Sequence, residues 1–265
     1  MIDEGRRLVD AARTAGLTVR LLGGLAVREH CRTAELCERD YSDLDMVAPA
    51  GQAPLLAELF AGFGYEENYE VRRATGNAGL QFVRPCLHAA SSGASVAHAD
   101  DHVDVFLDTF RMDHNIALAQ RLEIEPYTVS LSDLLLTKLQ IFRLEDKDVR
   151  DIVTLLDYAE VAEEDTPGLV NSRYIGELCA ADWGLFHDVA TNLQRVNEGV
   201  AALNVSEARR TRVLQNIARL TAALEDAPKS LRWRLRARIG KRKSWHNEID
   251  DQEDPLRMPS TADGP

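Results

Sequence analysis

The stretch Tyr41–Pro49, YSDLDMVAP, sets two aspartates, Asp43 and Asp45, one residue apart at the entrance of an apolar run that Pro49 closes. The run reads as a short strand. Residues i and i+2 of a strand share a face, about 6.5–7 Å apart. Like charges held that close repel, and neither is easily buried. The pattern therefore asks for something positive between them. HVDVFLD (102–108) alternates as a second strand and supplies a third carboxylate, Asp104, with Asp108 as the alternative at its end. Three carboxylates on neighbouring strands form an oxygen-rich site of the kind that takes Mg²⁺ or Mn²⁺. Two such ions about 3.5–4 Å apart can activate an attacking oxygen and steady a leaving phosphate.

Just upstream, LLGGLAVREH (21–30) reads as strand, Gly23-Gly24, then helix. Glycines at such a turn let the backbone approach a phosphate, and the helix N-terminus offers free N–H groups. The turn is neither a Walker loop nor the dinucleotide fingerprint, because GxxxxGK[ST] and GxGxxG are both absent.

The rest of the chain frames this core as an α+β protein, a mixed sheet flanked by helices and followed by a helical region. Residues 2–16 have helical spacing and stop at Gly16, and 17–22 read as a strand. Residues 25–36 and 53–64 read as helices, EVRRA (70–74) and LQFV (80–83) as hairpin strands, and 89–101 as a loop. After Glu125 the pattern turns helical, over 131–144 with Ser132 as N-cap, then 147–161, 182–203 and 206–227, with Pro167-Gly168 in a break. The expected domains are an α/β unit over 1–125, a helical unit over 126–226, and a flexible tail over 227–265 that is first basic, then acidic.

The totals exclude several classes. The chain has 265 residues, 45% hydrophobic and 28% charged, an ordinary globular composition long enough to bury a core. No apolar run approaches the roughly 20 residues of a membrane span, so no membrane partner is expected. Met1–Asp10 is too polar for a signal peptide. Cys31, Cys37, Cys86 and Cys179 fall into no zinc spacing and read as reduced thiols in a cytoplasmic protein. The net charge is −12, yet residues 229–243 hold eight basic residues and no acid, so the remainder carries −20. Such an acidic body with one basic strip is no general nucleic-acid binder. The strip interleaves Leu231, Trp233, Leu235 and Ile239 with arginines, which suits phosphate contact and base stacking, or else a disordered or weakly helical tail resting on the acidic body; membrane-surface binding is the less favoured alternative, because the apolar face is short.

The order Gly23, Gly24, Asp43, Asp45, Asp104 resembles the polymerase-β-like nucleotidyltransferase superfamily. Within it the chain looks most like the stand-alone bacterial nucleotidyltransferases that include the AbiEii and MenT type toxins. Arg39 matches an arginine often found a few residues before DxD in that group. Lys138, followed by Lys147, Asp148 and Asp151, matches a lysine and a KDxxD helix. The likeness covers roughly residues 17–157. Two positions depart from it: Tyr41 stands where threonine is frequent, and Gly24 replaces a serine that touches phosphate in many relatives.

The resemblance implies a nucleotidyltransferase fold and the transfer of a nucleoside monophosphate from a nucleoside triphosphate to an acceptor hydroxyl, with pyrophosphate leaving. Asp43, Asp45 and Asp104 would bind two Mg²⁺ or Mn²⁺ ions. Asp104 would favour deprotonation of the acceptor, and Lys138 would neutralise triphosphate charge. Gly23, Gly24, Arg39, Lys138, Asp148 and Asp151 would form the nucleotide site. The basic strip inclines the acceptor toward tRNA, with a small molecule such as an aminoglycoside, or a protein hydroxyl, as alternatives. A toxin role with a cognate antitoxin protein rests on the family alone. DLDMV also satisfies the DxDx[TV] pattern of haloacid-dehalogenase phosphatases, but that chemistry needs the first aspartate at the end of an apolar strand. A non-catalytic nucleotide-binding module of the same fold is the remaining alternative.

Overall fold

The structure is a computed structural model that describes residues 1–31, 34–37, 41, 43–84 and 102–247. It is a mixed α and β molecule. Helix α1 (Ile2–Thr14) leads to strand β1 (Arg20–Leu21), α2 (Gly23–His30), α3 (Ala34–Cys37) and β2 (Leu44–Ala48). Then come α4 (Ala53–Gly62), β3 (Glu66–Glu67), α5 (Tyr69–Ala74), β4 (Gly79–Val83) and β5 (His102–Leu107). These five strands form one sheet in the order β1-β2-β5-β4-β3. Only β2 and β5 run parallel, with β5 the central strand and β2 beside it. Both are buried strands built from aliphatic side chains around their aspartates, as expected of strands covered on both faces. A small hairpin, β6 (Thr109–Arg111) with β7 (Asn115–Ala117), follows.

The remainder is mostly helical: α6 (Leu131–Leu139), α7 (Asp146–Tyr158), α8 (Ser172–Ala181), α9 (Trp183–Gly199), α10 (Glu207–Asp226) and α11 (Leu231–Ile239). Helix α6 is the hinge of the packing. Leu131, Leu134, Leu135, Leu136 and Leu139 are all fully buried, and α6 touches α2, α7, α8 and α9. At about 1.5–3 kcal/mol for each fully buried leucine, this helix ties α2 to the helices α7, α8 and α9. One connected set of buried side chains runs from Leu8 to Leu224.

Several local expectations are corrected. EVRRA is not a strand but most of helix α5, nucleated by Asn68, whose side chain accepts from the Glu70 N–H at 3.2 Å. The cap of α6 is Ser130, not Ser132: its Oγ accepts from Asp133 N–H at 3.1 Å, while Ser132 Oγ accepts from Asn171 N–H at 2.7 Å. The helix expected over 25–36 breaks at Cys31. The break at Pro167-Gly168 is framed by a short parallel pair, β8 (Glu160–Ala162) and β9 (Leu169–Asn171), before an additional helix, α8. Cys31 and Cys37 are joined in a disulfide rather than standing as two thiols, and Cys179 is a buried free thiol. The loop read over 89–101, Cys86 and the acidic end of the tail lie outside the described residues.

Candidate active site

The parallel pairing of β2 with β5 puts Asp45 directly opposite Asp104. Asp43 stands just before β2, its side chain 57% exposed, at the mouth of the same strand pair. The turn from β1 to α2 closes over this point. Leu22 N–H donates to the Asp45 carbonyl at 2.9 Å, which ties the Gly-Gly turn to the aspartate strand. Gly23 follows with φ +64°, and any side chain there would collide with the Asp45 carboxylate. Glycine is required twice, by conformation and by space. Gly24 is the second residue of α2 and is half-buried.

Asp104 is 3% exposed and firmly held. Gln81, its partner in register on β4, donates from Nε2 to Asp104 Oδ1 at 3.0 Å. His102 Nε2 lies 3.3 Å from Asp104 Oδ2 and 3.9 Å from Asp43 Oδ1. Burial raises the Asp104 carboxyl despite the opposing hydrogen bonds from His102 and Gln81. Asp45 is pushed up to about 7, first by burial and then by the charges of Asp104 and Asp43, with Lys138 and His102 acting in the opposite sense. Burial disfavours the charged carboxylate, and the neighbouring Asp104 and Asp43 charges push in the same direction.

Lys138 sits at the C-terminal end of α6, where Asp45 feels its charge. Its Nζ is 3.0 Å from Asp151 Oδ2 and 3.2 Å from Asp148 Oδ1. Burial works against the ammonium, but Asp151 and Asp148 outweigh it and hold the group raised. Asp148 has a second duty, since its Oδ2 accepts from Glu145 N–H at 3.2 Å and closes a capping box at the start of α7. Lys147 pairs with Glu145 at 2.8 Å and takes no part in the cluster. Arg39 lies outside the described residues.

Asp108, the alternative third carboxylate, lies beyond the register that pairs Asp45 with Asp104. It occupies a turn at φ +60°, with Oδ1 accepting from Ala50 N–H at 2.9 Å. His102 and Gln81 join the site beyond the residues expected to form it: His102, two before Asp104, shares its strand face in the sequence, whereas Gln81 meets Asp104 only through the β4–β5 register. The aspartates stand at the entrance of β2, so a phosphatase nucleophile at the end of an apolar strand is not what this fold presents.

The donor set fits a hard divalent cation. It is all carboxylate oxygen, and its excess negative charge is what a cation would relieve. Among the described residues no three His, Cys, Asp or Glu side chains already converge into a metal cage. A cavity of about 320 Å³ between α7 and α10 is lined by none of Asp43, Asp45 and Asp104, and there Asp157 pairs with Arg209 and Arg212.

The basic strip forms α11 and the turn after it. Its one aromatic, Trp233, is turned toward the body, with Nε1 donating to Cys179 O at 3.0 Å and the ring edge-on to Phe186. No helix among the described residues is long and apolar enough to cross a membrane. Neither a family model nor a curated protein matches the chain.

Proposed function

We propose that this chain is a metal-dependent nucleotidyltransferase that moves a nucleoside monophosphate from a nucleoside triphosphate to an acceptor hydroxyl and releases pyrophosphate. The observation that carries the reading is the register of β2 on β5, which sets Asp45 against Asp104 beneath a turn that only glycine can make. Asp43, Asp45 and Asp104 would hold Mg²⁺ or Mn²⁺. The cation, when bound, supplies charge neutralisation for the triphosphate and lowers the pKa of an oxygen that it contacts.

The chain's own residues do the rest. Gly23 and Gly24 let backbone N–H groups at the start of α2 face a phosphate. Gln81 and His102 fix the orientation of Asp104. Lys138, braced by Asp148 and Asp151, adds positive charge on the Asp45 side. Transfer then needs in-line approach of the acceptor oxygen to the α-phosphorus, so positioning and charge carry most of the rate.

The test is incubation of the pure protein with each labelled triphosphate, Mg²⁺ and a whole-cell extract. Label should pass to a discrete acceptor, and Asp43→Ala or Asp104→Ala should abolish the transfer. Tight nucleotide binding with no turnover in either protein would instead mark a binding module.

A further inference from the structure

Helix α11 presents a surface that the proposed transfer reaction does not use. Leu231, Leu235 and Ile239 recur every four residues and so line one face of the helix. They are 77%, 59% and 46% exposed, three of the few large apolar side chains left open on the described surface. Exposed arginines rim this stripe on both sides, Arg234 and Arg238 along one flank and Arg232 along the other. Arg232, Arg234 and Arg238 are exposed, and Lys241, Arg242 and Lys243 extend the positive charge beyond the helix.

The opposite face is anchored. Trp233 reaches Cys179 O and Phe186, and the Arg236 guanidinium lies 4.6 Å from the Trp183 ring centre while it donates to Gly240 O and Lys243 O. Past the turn, Trp245 Nε1 donates to the buried Asp188 carboxylate at 3.0 Å, and Asn247 N–H donates to Asp113 O at 2.8 Å. The helix is thus folded and held at both ends before any partner arrives, so little ordering cost falls on binding.

We infer that α11 is a docking helix for an anionic phospholipid surface. Two observations choose this occupant. The stripe is aliphatic, and an acyl boundary buries it while the flanking guanidiniums reach lipid phosphates. A nucleic acid would use the arginines but leave the three aliphatic side chains in water, and Trp233, the one aromatic in the strip able to stack on a base, is already committed to Cys179 and Phe186. Charge complementarity also sets the orientation: the rest of the chain carries −20 and is repelled by an anionic surface, so the strip of residues 229–243 is the part that faces it. The sites of transfer and of docking are distinct, and the inference stands apart from the proposed chemistry.

The experiment uses the full chain and two kinds of vesicle, phosphatidylcholine alone and phosphatidylcholine mixed with phosphatidylglycerol. The protein should sediment with the anionic vesicles and not the neutral ones, and raising the salt should weaken the binding. Leu235→Ser with Ile239→Ser should lower vesicle affinity about tenfold or more. Arg234→Gln with Arg238→Gln should do the same. Circular dichroism of both variants should match the parent, because every substituted side chain is exposed. Four results would overturn the inference: no preference for anionic vesicles, an apolar-stripe variant that binds as the parent does, RNA binding that competes and survives loss of the stripe, or a dimer in sedimentation velocity that Leu235→Ser dissociates.

Discussion

Gly23 and the Asp45 carboxylate occupy adjoining space with no room for a methyl group between them. The contact couples the glycine turn to the aspartate strand, so a change at one must move the other. Gly23→Ala pays about 1–2 kcal/mol for a left-handed backbone and must also displace the carboxylate. We expect a folded protein with a lowered melting temperature and nucleotidyl transfer reduced about a hundredfold, since small misplacements cost that much in positioned chemistry. Transfer within a factor of a few of the parent would show that the turn does not set the position of Asp45.

The clustering of Asp43, Asp45 and Asp104 predicts a specific response to divalent cations. At pH 8, above the value of about 7 to which Asp45 is raised, the Asp45 carboxyl is mostly ionised. Mg²⁺ or Mn²⁺ should therefore raise the melting temperature, and EDTA should reverse the rise. Asp45→Asn should be more stable than the parent in EDTA by about 1–3 kcal/mol, because it removes a poorly solvated like charge. The same variant should gain much less from the cation. A parent protein indifferent to cations, or an Asp45→Asn variant destabilised in EDTA, would remove the electrostatic ground for a cation site.

Lys138 faces two carboxylates, Asp148 and Asp151, and all three side chains are largely buried. Lys138→Met leaves both carboxylates without their cation and should cost about 3–5 kcal/mol, the usual penalty for breaking a buried pair. Adding Asp151→Asn to Lys138→Met should recover much of that stability. Transfer activity should stay low in the double variant if the ammonium acts on the triphosphate, whereas a purely structural lysine would regain activity along with stability. The comparison reads chemical denaturation and transfer rate on the same three proteins.

What the sequence makes legible here is local. The strand around Asp45 and the strand around Asp104 show in their alternation, and the Gly23-Gly24 turn shows in its position between a strand and a helix. Their register does not. The two strands are parallel and separated by more than fifty residues, so nothing in either segment says that Asp45 will meet Asp104 rather than Val103 or Val105. Gln81 is invisible for the same reason, being a lone amide whose importance comes from the β4 pairing. EVRRA reads as a strand because Val71 is flanked by charged residues, but the preceding Asn68 cap tips it into a helix. Ser130 and Ser132 both precede the apolar run of α6, and tertiary contact with Asn171 takes the second away from capping. In α11 the basic pattern is plain, but only the packing shows that Trp233 faces in and the leucines face out.

His30, at the end of α2, supplies a pH dependence independent of the aspartates. Its Nε2 lies 2.8 Å from Thr128 Oγ1, and the Thr128 hydroxyl proton goes to Val129 O, so the imidazole N–H donates and the threonine accepts. The ring packs against Tyr158 with centres 5.2 Å apart. Burial depresses the His30 pKa to about 4, with the Glu29 charge opposing. The folded state thus takes up this proton later than the unfolded chain, whose histidine titrates near 6.5. The His30 contribution is complete above pH 6.5 and is lost as pH falls from there to 4, up to about 3 kcal/mol over the interval. His30→Gln keeps a donor toward Thr128 without a titrating group, so its stability should fall less steeply across that window. Denaturant unfolding of both proteins between pH 7 and pH 4 measures the difference, and curves that stay parallel would mean that the imidazole is protonated as readily in the fold as in the open chain.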